Sequence, residues 1–162
     1  DQYLRGIGVI ATTTLLFGLL LGVSYSYRAA GADEQPISRL DHALLIGLAQ
    51  ALALIPGTSR SGVTITASFF LGYNLATAAR FSFLMSIPVI AGALLLMLVK
   101  EFELFFSSAN LTLTLIAMLV AAVSAYATIA FFVGLVTRVG MMPFVIYRVL
   151  LALILFSILV FV

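Results

Sequence analysis

Long apolar runs are the feature that most constrains this chain. The run from Leu4 to Tyr25 carries one charge, Arg5, at its edge. At a rise of about 1.5 Å per residue, it can cross a hydrocarbon core of about 30 Å as a helix. Hydrophobic residues make up 64% of the 162 positions and charged residues 9%, which leaves too little polar surface for a water-soluble fold. The sequence therefore predicts an integral membrane protein.

Four runs are predicted to be membrane-spanning helices, and they cover residues 4–25, 75–99, 111–136 and 144–162. The second run carries Pro88 near its middle, where a kink is expected. Together they predict an all-α, polytopic membrane bundle that forms one domain over residues 1–162. The net charge of +2 comes from eight basic and six acidic residues spread along the chain, so no basic patch for nucleic acid is predicted.

The segment between the first two of these runs, residues 39–72, differs from them. As helices, Ala43–Ile55 offers about 20 Å and Val63–Gly72 about 15 Å, so neither part crosses a membrane alone. One interpretation is a broken helix that crosses in two halves. The other is a re-entrant helix pair with the 56–62 loop at its tip. The re-entrant pair is favoured for two reasons. A Pro-Gly turn separates the two parts, and their summed length of about 35 Å leaves little of the membrane thickness for an unwound loop in a straight crossing.

The loop at residues 56–62 predicts an anion site at membrane depth. A Pro-Gly pair cannot continue a helix, and the next helix then presents unpaired N–H groups and the positive end of its dipole. Glycines allow close approach, hydroxyls donate hydrogen bonds, and an arginine bridges two phosphate oxygens. Phosphate or carboxylate suits such a set. The candidate residues are Gly57, Thr58, Ser59, Arg60, Ser61 and Gly62.

Plain alternatives exist for the polar residues. The loop also fits an aqueous turn with Arg60 in water, although the short flanking segments disfavour it. His42, beside Asp41, is interpreted as an interfacial residue. Arg80 and Arg148 lie near helix ends, where snorkelling to the headgroups is the default. The roles of these residues and of Gln50 stay open.

Two stretches strongly resemble the bacterial undecaprenyl-pyrophosphate phosphatases of the bacitracin-resistance type. They are Gly47–Gly62, which reads GLAQALALIPGTSRSG, and Ala79–Pro88, which reads ARFSFLMSIP. The resemblance is specific over residues 36–93 and extends to Phe144–Arg148. In that family, the Pro-Gly-x-Ser-Arg-Ser-Gly loop is the second of two signature motifs, each at the tip of a re-entrant helix pair in an inverted-repeat fold. The resemblance implies that this chain is the second half of such a fold.

The resemblance also implies roles for the loop residues and a reaction. Arg60 and Ser59 would be catalytic, and Gly57, Thr58, Ser61 and Gly62 would bind the substrate phosphate. The reaction would be hydrolysis of undecaprenyl pyrophosphate to undecaprenyl phosphate and phosphate. This reaction recycles the lipid carrier for peptidoglycan synthesis and cell shape and gives bacitracin resistance. The protein would be a multi-pass protein of the bacterial inner membrane.

The same resemblance implies a divalent cation, Mg or Ca, as cofactor. The family's first motif, a glutamate pair followed by a loop with a histidine, has no counterpart here, and His42 does not match it. The metal ligands are therefore expected outside this chain, which resembles the C-terminal part of the enzyme and is expected to be inactive alone. The implied partners are a polyprenyl pyrophosphate lipid and the bilayer. Whether the protein forms a homo-oligomer stays open.

Two other classes of membrane protein compete with this interpretation. A transporter of an anionic substrate also presents helix N-termini at mid-depth through broken helices, and composition does not separate it from a phosphatase. A phosphatase of the phosphatidic-acid type also uses a Ser-Arg pair but needs a histidine several residues later. Val63–Gly72 contains none, which disfavours that class.

Overall fold

The computed structural model describes residues 6–28, 35–101 and 108–161, the side chains of the last range from residue 111. Every regular element in these ranges is helical, so the prediction of an all-helical chain is confirmed. Helix α2 continues into a short 3₁₀ helix, Ala51–Leu54. The α-helices are α1 (Ile7–Tyr27), α2 (Leu40–Gln50), α3 (Arg60–Phe70), α4 (Leu75–Leu84), α5 (Ser86–Lys100), α6 (Ser108–Val139) and α7 (Met142–Phe161).

Four helical stretches are long and apolar enough to cross a membrane, as predicted. They are Ile7–Tyr27, Leu75–Lys100, Leu111–Val139 and Met142–Phe161, with mean hydropathies from 2.0 to 2.7. The second and third begin at the predicted residues, and the other ends lie within about three residues of the predicted ones. Residues 4, 5 and 162 of the predicted spans lie outside the described residues. The stretch Leu75–Lys100 is interrupted at Met85, three residues before the expected kink. Pro88 has no N–H for the carbonyl of Leu84, which weakens the helix there.

Helices α2 and α3 run antiparallel between the first two of these stretches. The start of α2 meets the turn after α3, where His42 Nδ1 lies 2.8 Å from the hydroxyl of Tyr73. Just beyond, Thr77 Oγ1 donates a 3.0 Å hydrogen bond to the carbonyl of Gln35. The two ends of the 39–72 segment therefore lie side by side, and the 56–62 loop lies at the far end of the pair.

Helix α3 forms the centre of the packing. Its residues from Gly62 to Thr66 are all buried, as are Ser68 and Phe69. A polar contact joins it to α4, where Thr64 Oγ1 lies 2.7 Å from Ser82 Oγ. Such hydroxyl pairs hold apolar helices together where lipid gives no hydrophobic drive. The apolar core that α3 shares with its neighbours consists of Leu21, Ile65, Phe69, Ala78, Val136, Met141 and Val145.

Helices α1 and α7 pack closely because α1 presents glycines to α7. A Cβ placed on Gly18 would lie 3.1 Å from the Cβ of Arg148, and one on Gly22 would lie 3.1 Å from Val145 Cγ1. Small residues at helix crossings let backbones approach in this way. The contact brings the polar side chain of Arg148 into the interior of the bundle.

The outer faces of α5 and α6 are apolar and exposed. Leu95, Leu96, Leu113 and Leu119 are each more than 60% exposed. Contiguous apolar surface of this extent suits contact with lipid chains or with another apolar protein surface.

Candidate anion-binding site

The start of α3 presents backbone and side-chain donors together. Ser59 is the N-cap residue, and its Oγ accepts a 3.2 Å hydrogen bond from the N–H of Gly62. The first intrahelical bond runs from the N–H of Val63 to the carbonyl of Ser59 at 2.9 Å. The N–H groups of Arg60 and Ser61 precede it and have no acceptor within the helix. The helix dipole adds positive potential at the same place.

Helix α1 fixes the loop through two threonines. Thr13 Oγ1 donates to the carbonyl of Pro56 at 2.6 Å, and Thr14 Oγ1 donates to the carbonyl of Gly57 at 3.3 Å. Gly57 has a φ of +87°, and a Cβ there would overlap Thr13 Oγ1 and lie 2.6 Å from the carbonyl oxygen of Ile10. The close approach that Gly57 permits is therefore to α1.

A cavity of about 560 Å³ lies beside the loop, between α1, α6 and α7. Loop residues and Arg148 form its polar wall, and Thr14 adds a hydroxyl. Aromatic rings form part of the remaining wall, where the rings of Phe132 and Phe144 lie 5.0 Å apart. Its apolar lining consists mainly of Ile10, Leu21, Phe132, Met141, Phe144 and Leu151. The cavity therefore suits a ligand with a polar head and an apolar tail.

The structure brings most of the predicted site residues to this cavity. Gly57, Thr58, Ser59, Ser61 and Gly62 all line it. The hydroxyl groups of Ser59 and Ser61 lie 3.3 Å apart.

Arg60 is the predicted residue that does not line the cavity. Its Nη1 donates a 3.2 Å hydrogen bond to the carbonyl of Ser82 in α4. Adjacent residues of a helix point about 100° apart, so Ser61 faces the cavity and Arg60 does not.

Arg148 is a cavity residue that the sequence reasoning missed. Its Nη2 donates a 2.8 Å hydrogen bond to the carbonyl of Gly57, so the expectation that it snorkels outward is wrong. Position 148 lies three residues after Val145 and four before Ala152, the buried residues of α7. Residues at this spacing share one helix face, so Arg148 is inward-facing, but the apolar residues all round α7 do not mark that face in the sequence.

Two polar groups on the cavity wall lack partners among the described residues. Thr58 is 7% exposed, and its Oγ1 has no hydrogen-bond partner. The Nε of Arg148 is also buried without a partner. Unpaired buried donors of this kind cost free energy until a ligand or water satisfies them.

The cavity wall carries positive charge with no carboxylate among its described residues. Away from the cavity, an ion pair joins Arg39 Nη2 to Asp41 Oδ2 at 2.6 Å, at the exposed start of α2. The hydrogen bond from Arg39 lowers the pKa of the Asp41 carboxyl to about 2. That pair lies beside the ends of the α2–α3 segment, away from the loop. Because no carboxylate on the described cavity wall neutralises Arg148, its charge is available to an anion.

Comparison with known proteins identifies the family. The family model for the bacitracin resistance protein BacA matches residues 1–154. The chain belongs to the BacA family.

Several relatives in this family carry the name undecaprenyl-diphosphatase. The one from Alcanivorax borkumensis is 52% identical over 155 residues, which cover 93% of this chain and 56% of that protein. The one from Teredinibacter turnerae is 51% identical over 160 residues, 96% of this chain and 58% of that protein. The one from Saccharophagus degradans is 47% identical over 156 residues, 93% of this chain and 56% of that protein. The chain thus spans little more than half the length of these BacA relatives.

The described residues of this BacA-family chain do not fit a divalent cation. They contain no group of three or more His, Cys, Asp or Glu side chains placed to hold one. Oxygen ligands from carboxylates are what Mg²⁺ and Ca²⁺ prefer, and the described cavity wall offers hydroxyls and a guanidinium instead. His42 and Gln50 do not line the cavity. The expectation that the ligands lie outside this chain stays a prediction.

Proposed function

We propose that this chain supplies the diphosphate-binding half of an undecaprenyl-diphosphatase. The observation that carries the proposal is the amphipathic cavity, where the 56–62 loop, the unpartnered Thr58 hydroxyl and the Arg148 guanidinium meet an apolar wall. The names of the relatives support the same activity. The diphosphate would lie against the loop, and the prenyl chain against the apolar wall beside the bilayer.

The proposed reaction cleaves the bond between the terminal phosphorus and the bridging oxygen. Water adds to that phosphorus, and the bridging oxygen leaves on undecaprenyl phosphate while inorganic phosphate is released. The residues present would neutralise charge on the transferring group, which is the main task in phosphoryl transfer. The N–H groups of Arg60 and Ser61 and the hydroxyls of Thr58 and Ser59 are the loop donors for this task.

Arg60 and Ser59 are the proposed catalytic residues. Among the described residues, a single 3.2 Å bond to the neutral carbonyl of Ser82 holds the Arg60 guanidinium. A bidentate pairing with phosphate is stronger than such a bond, so bound diphosphate is expected to draw Arg60 toward the loop. A divalent cation, Mg or Ca, belongs to the proposal for the complete protein. Its ligands would lie in the part that this chain does not cover.

The proposed topology makes α2 and α3 a re-entrant pair in the second half of an inverted-repeat fold. The contacts between Gln35 and Thr77 and between His42 and Tyr73 support it, since they join the two ends of the segment. The short apolar stretch Leu40–Leu54 supports it as well, because a stretch of this length does not cross a bilayer alone. The proposed location is the bacterial inner membrane.

The full-length protein reconstituted in vesicles tests this function. Phosphate release from undecaprenyl pyrophosphate, without flux of an anion across the vesicle membrane, is the expected result. Anion flux without hydrolysis would contradict the proposal and favour a transporter.

A further inference from the structure

The cavity contains an arginine that the proposed loop chemistry does not require. We infer that Arg148 of α7 binds the diphosphate headgroup directly and supplies a second guanidinium beside that of Arg60. This inference rests on the proposed function for the identity of the ligand.

The position of the Arg148 guanidinium is fixed at the loop. Nη2 is bonded to the carbonyl of Gly57 at 2.8 Å. Nη1 lies against the first turn of α3, because a Cβ on Gly62 would be 3.1 Å from Nη1 and 3.1 Å from the Cβ of Ser59. The guanidinium therefore lies next to the hydroxyl groups and N–H groups of the helix start.

Donors of this guanidinium remain unused. Nε is buried and has no partner among the described residues. A planar guanidinium can keep one N–H on a carbonyl while its other N–H groups bind phosphate oxygens. The bond to Gly57 thus positions Arg148 without using up its capacity for an anion.

The charge of Arg148 also requires a partner. No acidic side chain is among the described residues of the cavity wall, and a charged side chain at membrane depth is costly unless it is paired. Thr58 Oγ1, buried and unpartnered on the same wall, is a second unsatisfied group. A diphosphate satisfies both at once, with oxygens that accept from the hydroxyl and the guanidinium.

A purely structural role for Arg148 makes a different prediction from a binding role. If Arg148 only fastens Gly57 to α7, its removal destabilises the fold, and ligand affinity falls only as far as the loop moves. If it binds diphosphate, affinity falls in a protein that is still folded. Arg148→Gln and Arg148→Lys separate these effects, because Gln keeps an N–H donor without charge, while Lys keeps the charge without the planar fork.

The experiment measures binding of inorganic pyrophosphate and of inorganic phosphate to the full-length protein in detergent by calorimetry. Arg148→Gln is expected to weaken pyrophosphate binding about tenfold to hundredfold, the range for a lost charged hydrogen bond, and Arg148→Lys by less. Arg138→Gln is the matched control, because it removes the same charge from an exposed residue of α6 that does not line the cavity. It is expected to bind within about twofold of wild type, since exposed charges contribute little. The melting temperature of each variant is recorded.

Three results would overturn the inference. The first is wild-type pyrophosphate affinity in folded Arg148→Gln. The second is a loss of affinity that parallels a loss of melting temperature in both Arg148 variants, and the third is a loss confined to inorganic phosphate. Turnover of undecaprenyl pyrophosphate by wild-type protein is a separate measurement. If it is absent while Arg148→Gln still loses pyrophosphate affinity, the proposed function fails and the inference about Arg148 stands.

Discussion

Gly57→Ala tests whether close contact with α1 fixes the loop. The left-handed backbone at Gly57, with φ +87°, costs a non-glycine residue about 1–2 kcal/mol. The added methyl also meets Thr13 Oγ1 and the carbonyl of Ile10, and overpacking of this kind costs about 1–3 kcal/mol. The free energy of unfolding should therefore fall by about 2–5 kcal/mol, the sum of the two effects.

Gly72→Ala is the matched control for this change. Gly72 has nearly the same backbone, with φ +83°, but a Cβ there meets nothing within 4 Å. It should lose only the backbone part, about 1–2 kcal/mol. The assay compares unfolding of the two variants of the full-length protein in detergent, together with phosphate release. We expect turnover to fall in Gly57→Ala and to stay near wild type in Gly72→Ala, because only the first displaces the loop from Thr13 and Arg148. Equal stability and equal turnover in the two variants would refute the reasoning.

Three further predictions concern the loop and the topology. Arg60→Lys in the full-length protein should lose most phosphate release at a normal expression level in membranes, because Lys lacks the bidentate fork; wild-type turnover would contradict the role of Arg60. Ser59→Ala should reduce turnover less than Arg60→Ala, since a neutral hydrogen bond contributes about 1 kcal/mol and a charged one about 1.5–3 kcal/mol; the reverse order would indicate that Ser59 is a nucleophile. Single cysteines at Gln35 and Asn74, in a sequence without natural cysteines, should react with an impermeant thiol reagent from the same side of the membrane. Labelling from opposite sides would exclude the re-entrant pair.

The helices were predictable because their signal is local. Apolar runs of sufficient length identify spans without knowledge of their neighbours, and Asn74 caps α4 as its residue type suggests, accepting from the N–H of Thr77 at 2.9 Å. Finer features depend on neighbours and were not predictable. No residue of the apolar stretch Ala51–Leu54 indicates its change from α to 3₁₀ geometry. The interruption lies at Met85 rather than at Pro88 itself, because the N–H that Pro88 lacks would have bonded the carbonyl of Leu84, one turn earlier.

The site was predictable in composition but not in direction. The sequence places three hydroxyls and an arginine beside a helix start. The helix period shows that Arg60 and Ser61 point in different directions, but it does not show which of them faces the cavity. Arg148 was missed because its direction depends on the crossing of α1 and α7, where Gly18 admits its backbone. A sequence shows the glycine and the arginine but not that they meet, since they lie far apart in the chain.

The bonds that hold the loop also determine which headgroups it can accept. The carbonyl oxygens of Pro56 and Gly57 are taken by Thr13, Thr14 and Arg148. These two acceptors of the loop are therefore occupied by side chains of α1 and α7. An amine or choline headgroup, which needs acceptors or negative charge, finds neither in these two carbonyls, whereas a terminal phosphate needs only donors. We therefore expect the full-length protein to prefer lipids with an anionic headgroup over the zwitterionic lipids that surround it in a bilayer, before any chemistry takes place.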